Sequence, residues 1–174
     1  MPLTANDYLS ISTPGLEMLA LLEGLRLQPY DDGTGETITQ WQAGATIGVG
    51  HLIPLQHWPL YRRGISKSAV MELLAGDLKP VQRAILDNVF IKLQQHQFDA
   101  LCLLIFNVGV RTFEESTVLK YINGVITTHH RYSSPAAAWQ AFIYHNGRRS
   151  RGLADRRRAE WALYSEGEYA IGKT

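Results

Sequence analysis

Residues 23–52 read EGLRLQPYDDGTGETITQWQAGATIGVGHL, and the character of the chain changes within them. Upstream, Ser12-Thr13-Pro14-Gly15 supplies a hydroxyl cap and a proline for a helix start, and Leu16, Leu19, Ala20 and Leu22 keep a helical period. Pro29 cannot continue that helix, which is expected to fade near Leu25. From Asp31 to Gly50, Gly33, Gly35, Gly44, Gly48 and Gly50 punctuate two alternating stretches, Thr37-Ile38-Thr39 and Thr46-Ile47-Gly48-Val49. These predict small antiparallel strands joined by turns. Beyond this region the pattern is helical almost throughout. Ser66 offers a cap for a helix reaching Leu78, and Val81–Leu93, Gln95–Val108, Ser116–Asn123, Pro135–Tyr144 and Leu153–Tyr164 follow. The predicted class is α+β, in one domain. A small lobe with a helix and a hairpin sheet covers about residues 15–65, and a larger helical lobe covers about 66–174.

Composition narrows the possibilities. The chain has 174 residues, of which 45% are hydrophobic and 19% charged, as in a globular protein and not a disordered one. One cysteine, Cys102, excludes a disulfide framework and a cysteine-rich zinc site. Its neighbours Leu101, Leu103, Leu104 and Ile105 mark it as a core residue. No apolar run approaches the ~20 residues of a membrane helix, and Met1 to Ser12 lacks the basic start and apolar stretch of a signal peptide. Stable membrane insertion is therefore not expected. The net charge of +1 conceals an asymmetry: residues 1–60 hold six acids and one base, residues 131–174 eight bases and four acids. Acidic groups on one side of a site and a polyanion-tolerant surface on the other would fit that division.

Glu23 closes the first helix, and Asp31 and Asp32 open the glycine-rich region. An apolar setting, such as Leu21 and Leu22 would provide, favours the protonated form of a carboxyl, and a polar turn favours the ionised form. Two carboxyls in different settings are what glycoside hydrolysis requires: one to protonate the leaving oxygen, one to act at the anomeric carbon. His51 has no second histidine at ligand spacing, so no metal site is expected, and His129-His130 reads as a solvated pair in a polar loop. Arg148, Arg149, Arg151, Arg156, Arg157 and Arg158 form a basic cluster, but Asp155 and Glu160 interleave with it at helical pairing distance. With no aromatic residues alternating among them, nucleic acid is not the expected partner.

Glu23-Gly24-Leu25-Arg26-Leu27, Tyr30-Asp31-Asp32-Gly33 and Thr46-Ile47-Gly48-Val49-Gly50-His51-Leu52 together resemble the N-terminal signature of the phage-type lysozymes, the endolysin family that cuts peptidoglycan glycan strands. The resemblance continues through Gln97-Phe98-Asp99-Ala100-Leu101, Phe106-Asn107-Val108-Gly109, Phe113, Ser116-Thr117, Gly152-Leu153 and Arg156-Arg157-Arg158-Ala159-Glu160, and so spans about residues 15–167. It implies a lysozyme-like fold and a muramidase that inverts at the β-1,4 bond between N-acetylmuramic acid and N-acetylglucosamine. Glu23 would be the general acid, with Asp32 and Thr46 holding the attacking water. His51 would pair structurally with Asp77. A substrate cleft between the lobes would be lined by Leu52, Phe106 and Ser116, although Leu52 and Phe106 read equally well as core. Peptidoglycan is the implied partner of a monomer without cofactor, held in the host cytoplasm until release to the wall, or carried by a phage particle or secretion machine. A lytic transglycosidase and an inactive wall-binding module are the alternatives.

The sequence departs from the family pattern in one place. Thr46 follows Asp32 by fourteen residues, eight more than the resemblance leads one to expect, and the excess lies within residues 33–45. Either the hairpin is longer or Thr37 or Thr39 has taken the role of Thr46. Trp41 within that stretch could meet sugar or pack on the small lobe.

Overall fold

The computed structural model describes residues 6–125 and 131–169. The chain forms two compact units, residues 16–77 and residues 1–15 with 78–174. The first is the smaller. It contains most of α1 (Thr13–Glu23) and an antiparallel sheet of β1 (Arg26–Asp31), β2 (Ala45–Gly48) and β3 (His51–Leu52), in the order β1-β2-β3. A 3-10 turn over Leu55–His57, α2 (Trp58–Tyr61) and α3 (Lys67–Asp77) complete it. Ser66 caps α3 as its sequence predicts, its Oγ receiving the Ala69 N–H. Helix α3 touches β2 and β3 and so belongs with the sheet, whereas a division near residue 65 would have assigned it to the helical lobe.

Sheet register sets what each face carries. Tyr30 pairs with Thr46, and Thr46 with Leu52, while Asp31 pairs with Ala45 and Ile47 with His51. Directly opposed residues share a face, so Tyr30, Thr46 and Leu52 lie together, and Ala45, Ile47 and His51 lie on the reverse. The reverse face is the core, where buried Ala45, Ile47 and Ile53 gather Ile38, Trp58, Tyr61, Ile65 and Leu73. Gly48 ends β2 at φ +68°, and a Cβ there would meet Val70 of α3 at 3.3 Å, so both backbone and packing require glycine.

Two local expectations fail here for physical reasons. Strand β1 was hidden by Pro29, which lacks an N–H; it is accommodated because the register slips between Arg26 and Tyr30. Thr37–Thr39 is not a full strand. It makes one bridge, Thr37 to Tyr30, and donates the Ile38 N–H to Pro29 before the chain turns back to β2.

The larger unit is helical: α4 (Lys79–Asn88), α5 (Gln95–Val108), α6 (Val110–Glu114), α7 (Thr117–Ile122), α8 (Pro135–Trp139) and α9 (Arg151–Glu166). Every residue of α5 from Phe98 to Ile105 is buried, Cys102 included, and α9 packs along it. Helix α4 stops at Asn88, short of the expected Leu93. The predicted helix over Pro135–Tyr144 likewise ends at Trp139. Asn146 (φ 49°) and Gly147 (φ 75°) make a tight turn there that folds β4 (Tyr144–His145) onto β5 (Arg148–Arg149). Asn-Gly is the dipeptide such a hairpin demands.

In the basic cluster Arg156 pairs with Glu160 as the i,i+4 spacing suggested, and the pair lies in the core. Arg156 and Arg157 are buried with Glu160, both at 2.9 Å from its carboxylate, and the Trp139 indole N–H donates to the same group at 3.0 Å. Burial pushes the Glu160 carboxyl above its ordinary range against the pull of both arginines. Breaking such a cluster by removing one partner would strand a charge in the core.

Asp99 ties this unit's ends together. Wholly buried, it accepts the Ser12 N–H at 2.9 Å, the Ser12 hydroxyl, the Gln95 amide at 2.9 Å and the Tyr169 hydroxyl at 2.6 Å. Burial, and then the bond to Asp99, push the Tyr169 phenol up to about 12 from its ordinary 10. A raised folded-state pKa stabilises the fold fully below the unfolded value and stops doing so as pH rises through the folded one. Between pH 10 and about 12 the wild-type protein should therefore lose stability faster than Tyr169→Phe, read as the difference between their urea midpoints across that range.

Candidate active site

Glu23 is the last residue of α1, and Asp32 is the first beyond β1. The backbone brings the later threonine back to this point. The Gly44 carbonyl accepts the Asp32 N–H at 3.1 Å and the Thr46 hydroxyl at 2.9 Å, so one oxygen ties together two residues fourteen apart in the chain. Thr46 is buried on β2 directly opposite Tyr30. Thr37 is exposed and bridges to the same tyrosine.

The Tyr30 phenol registers both carboxyls. Burial raises its pKa most, and the charge of Asp32 and, more weakly, that of Glu23 raise it further. The Arg26 guanidinium, 4.8 Å from the ring centre, and a backbone hydrogen bond from Gly50 act in the opposite direction. Tyr30 was not singled out by sequence, although a residue two before Asp32 on a strand points to the same side.

Asp31 is a solvated turn residue whose side chain also holds the loop. Its carboxylate accepts the Thr34 N–H at 2.7 Å and the Gln42 amide, clasping both ends of the extra segment. These bonds hold its carboxyl below the ordinary carboxylate range. Of the two leucines expected to give Glu23 an apolar setting, Leu22 is half-buried and Leu21 is 60% exposed.

Of the residues expected to meet substrate, Leu52 is 61% exposed and shares a face with Thr46 and Tyr30. Phe106 and Ser116 belong to the helical unit. Phe106 is half-buried on α5, and Ser116 is buried with its Oγ receiving the Leu119 N–H at 3.1 Å as the cap of α7. His51 presents Nδ1 to both carboxylate oxygens of Asp77, at 3.0 and 2.9 Å, and sets its ring edge-on to Tyr61. His129 and His130 lie outside the described residues.

A helix ending in a glutamate, followed by a short sheet that carries an aspartate and a threonine, with a helical unit after it, defines a lysozyme-like protein. The chain belongs to the phage lysozyme family, whose model matches residues 20–160. It is 36% identical over 159 residues to the endolysin of Salmonella phage P22, covering 90% of this chain and 98% of that one. The crystal structure of a P22 lysozyme mutant matches with a TM-score of 0.73 at 34% identity, again over 90% of this chain and 98% of the other. The muramidase domain of SpmX from Asticaccaulis excentricus matches with a TM-score of 0.68 at 29% identity, over 90% and 98%. The protein is thus a lysozyme-like cell-wall hydrolase.

Because both partners of His51–Asp77 are half-buried, Asp77→Ala should cost about 1–2 kcal/mol of folding stability in urea titrations. Specific activity on purified cell walls, assayed where the variant is folded, should stay within about twofold of wild type, as expected of a pair that supports the sheet and touches no substrate.

Proposed function

We propose that the protein is a muramidase that hydrolyses the β-1,4 bond between N-acetylmuramic acid and N-acetylglucosamine in peptidoglycan by a single inverting displacement. The observation that carries this reading is the tie through Gly44, whose carbonyl accepts from both the Asp32 N–H and the Thr46 hydroxyl in the sheet that follows Glu23. Glu23 gives its proton to the bridging oxygen as the bond to the anomeric carbon breaks. Water attacks that carbon from the opposite face. The Thr46 hydroxyl has spent its proton on Gly44, so its oxygen is left to accept a hydrogen bond from that water. Asp32 accepts the water's other proton as the new bond forms. Leu52, exposed on the same face as Thr46, offers apolar contact to a sugar ring. The endolysins among its relatives support action on a bacterial wall, reached from the cytoplasm of the host at lysis.

Glu23→Gln keeps the side-chain shape and removes the proton, so lysis should fall at least about a thousandfold while circular dichroism is unchanged. Residual activity above a tenth of wild type would assign the acid elsewhere. Early muropeptide products followed by proton NMR should carry α-configured reducing ends. A 1,6-anhydro end would instead identify a transglycosidase, and no product at all would identify a wall-binding module.

The two candidate positions for the threonine separate by mutation. Thr46→Ala should reduce the lysis rate by about a hundredfold, whereas Thr37→Ala and Thr39→Ala should stay within about threefold. A large loss confined to Thr37 or Thr39 would move the water-holding role across β1.

A further inference from the structure

The extra segment holds one side chain whose position the hydrolysis reading leaves unexplained. The Trp41 indole N–H donates to the Ile53 carbonyl at 2.8 Å, which fixes the ring at the end of β3, one residue from Leu52. The ring is nonetheless 37% exposed. The sequence flanks it with Thr39, Gln40 and Gln42, all exposed. Around it the backbone is held at several points. Asp31 clasps Thr34 and Gln42, Arg26 bonds the Gly35 carbonyl, and the Ala45 N–H returns to the Gln42 carbonyl. An indole that only filled the core would be covered; this residue is partly exposed while its N–H is held in place. A fixed aromatic face loses little conformational freedom when it meets a flat apolar surface. A pyranose presents such a surface through its axial C–H groups, and its hydroxyls can reach amide side chains like that of Gln40. Leu52 precedes Ile53 in the chain and opposes Thr46 directly across β2 and β3.

We infer that Trp41 is a sugar-stacking residue that binds one pyranose ring of the glycan strand next to the ring over Leu52, giving this chain an additional subsite. The assignment rests on the glycan-hydrolase reading above. It predicts that binding, and not the chemical step, depends on the indole. On soluble, uncrosslinked glycan strands, Trp41→Ala should raise KM about fivefold or more with kcat within about twofold. Trp41→Phe keeps a ring and loses the bond to Ile53, so its KM should lie between those of wild type and Trp41→Ala.

Calorimetric titration in the Glu23→Gln background should give the same order of affinities. In that protein the indole Nε1–H resonance of Trp41, identified by its loss in Trp41→Phe, should shift when glycan is added. A folded Trp41→Ala with wild-type KM and affinity would overturn the subsite. If that variant does not fold, an indole resonance that stays still while glycan saturates Glu23→Gln would overturn it equally. Failure of Glu23→Gln to bind glycan at all would count against the hydrolase reading as well, whereas binding with an unmoved Trp41 would count against the subsite alone.

Discussion

The carbonyl of Gly44 is the constraint on which the small unit's chemistry depends. By accepting from both the Asp32 N–H and the Thr46 hydroxyl, it closes a long excursion of the chain at the point where β1 ends and β2 begins. The Thr46 hydroxyl hydrogen is thereby committed, and its oxygen is left as an acceptor. The register Tyr30–Thr46–Leu52 then extends this fixed point across all three strands. The same pairing sends Ala45 and Ile47 to the reverse side, where their burial holds the sheet in place. Chemistry and core are thus two faces of one strand alternation.

The extra segment is held by local hydrogen bonds: Asp31, neighbour of the proposed base, bonds Thr34 and Gln42 through its carboxylate. Of two adjacent aspartates, one thus closes a loop through its side chain, and the other is tied to Gly44 through its backbone N–H. In the helical unit, the arginines nearest the chain's end divide in a similar way. Arg156 and Arg157 enter the core with Glu160 and Trp139, while Arg148, Arg149 and Arg151 remain on the surface. Arg148 and Arg149 are on the β4–β5 hairpin and Arg151 opens α9, whereas Arg156 and Arg157 face α5, and a buried guanidinium is tolerable only where a carboxylate meets it.

Much of this was legible in the sequence. Helices whose apolar spacing and caps agree, such as Gln95–Val108 and the one led by Ser66, lie where periodicity puts them. Local capping and burial favour the same conformation there. Strand β1 was hidden because proline interrupts its alternation, and only the slipped register explains how it is tolerated. The β4–β5 hairpin was signalled by Asn146-Gly147 but was overridden by the helical run before it. The role of Asp31 was invisible, since an aspartate beside glycines reads as a turn whether or not its carboxylate clasps distant residues.

What the sequence determined by itself was the class of fold and the chemical inventory: a glutamate closing a helix, an aspartate nine residues on, a glycine-rich threonine strand and a buried helix to follow. These are local properties, written in the spacing and polarity of neighbours along the chain. What only the tertiary structure decided was which of these groups meet. Spacing along a loop carries no information about where the loop returns. The bond from Asp32 to Gly44, the pinning of Trp41 to Ile53 and the contacts of buried Arg156 with Leu103 and of Arg157 with Asn107 all join residues apart in sequence, and such contacts are chosen by strand register and helix packing, which no local pattern records.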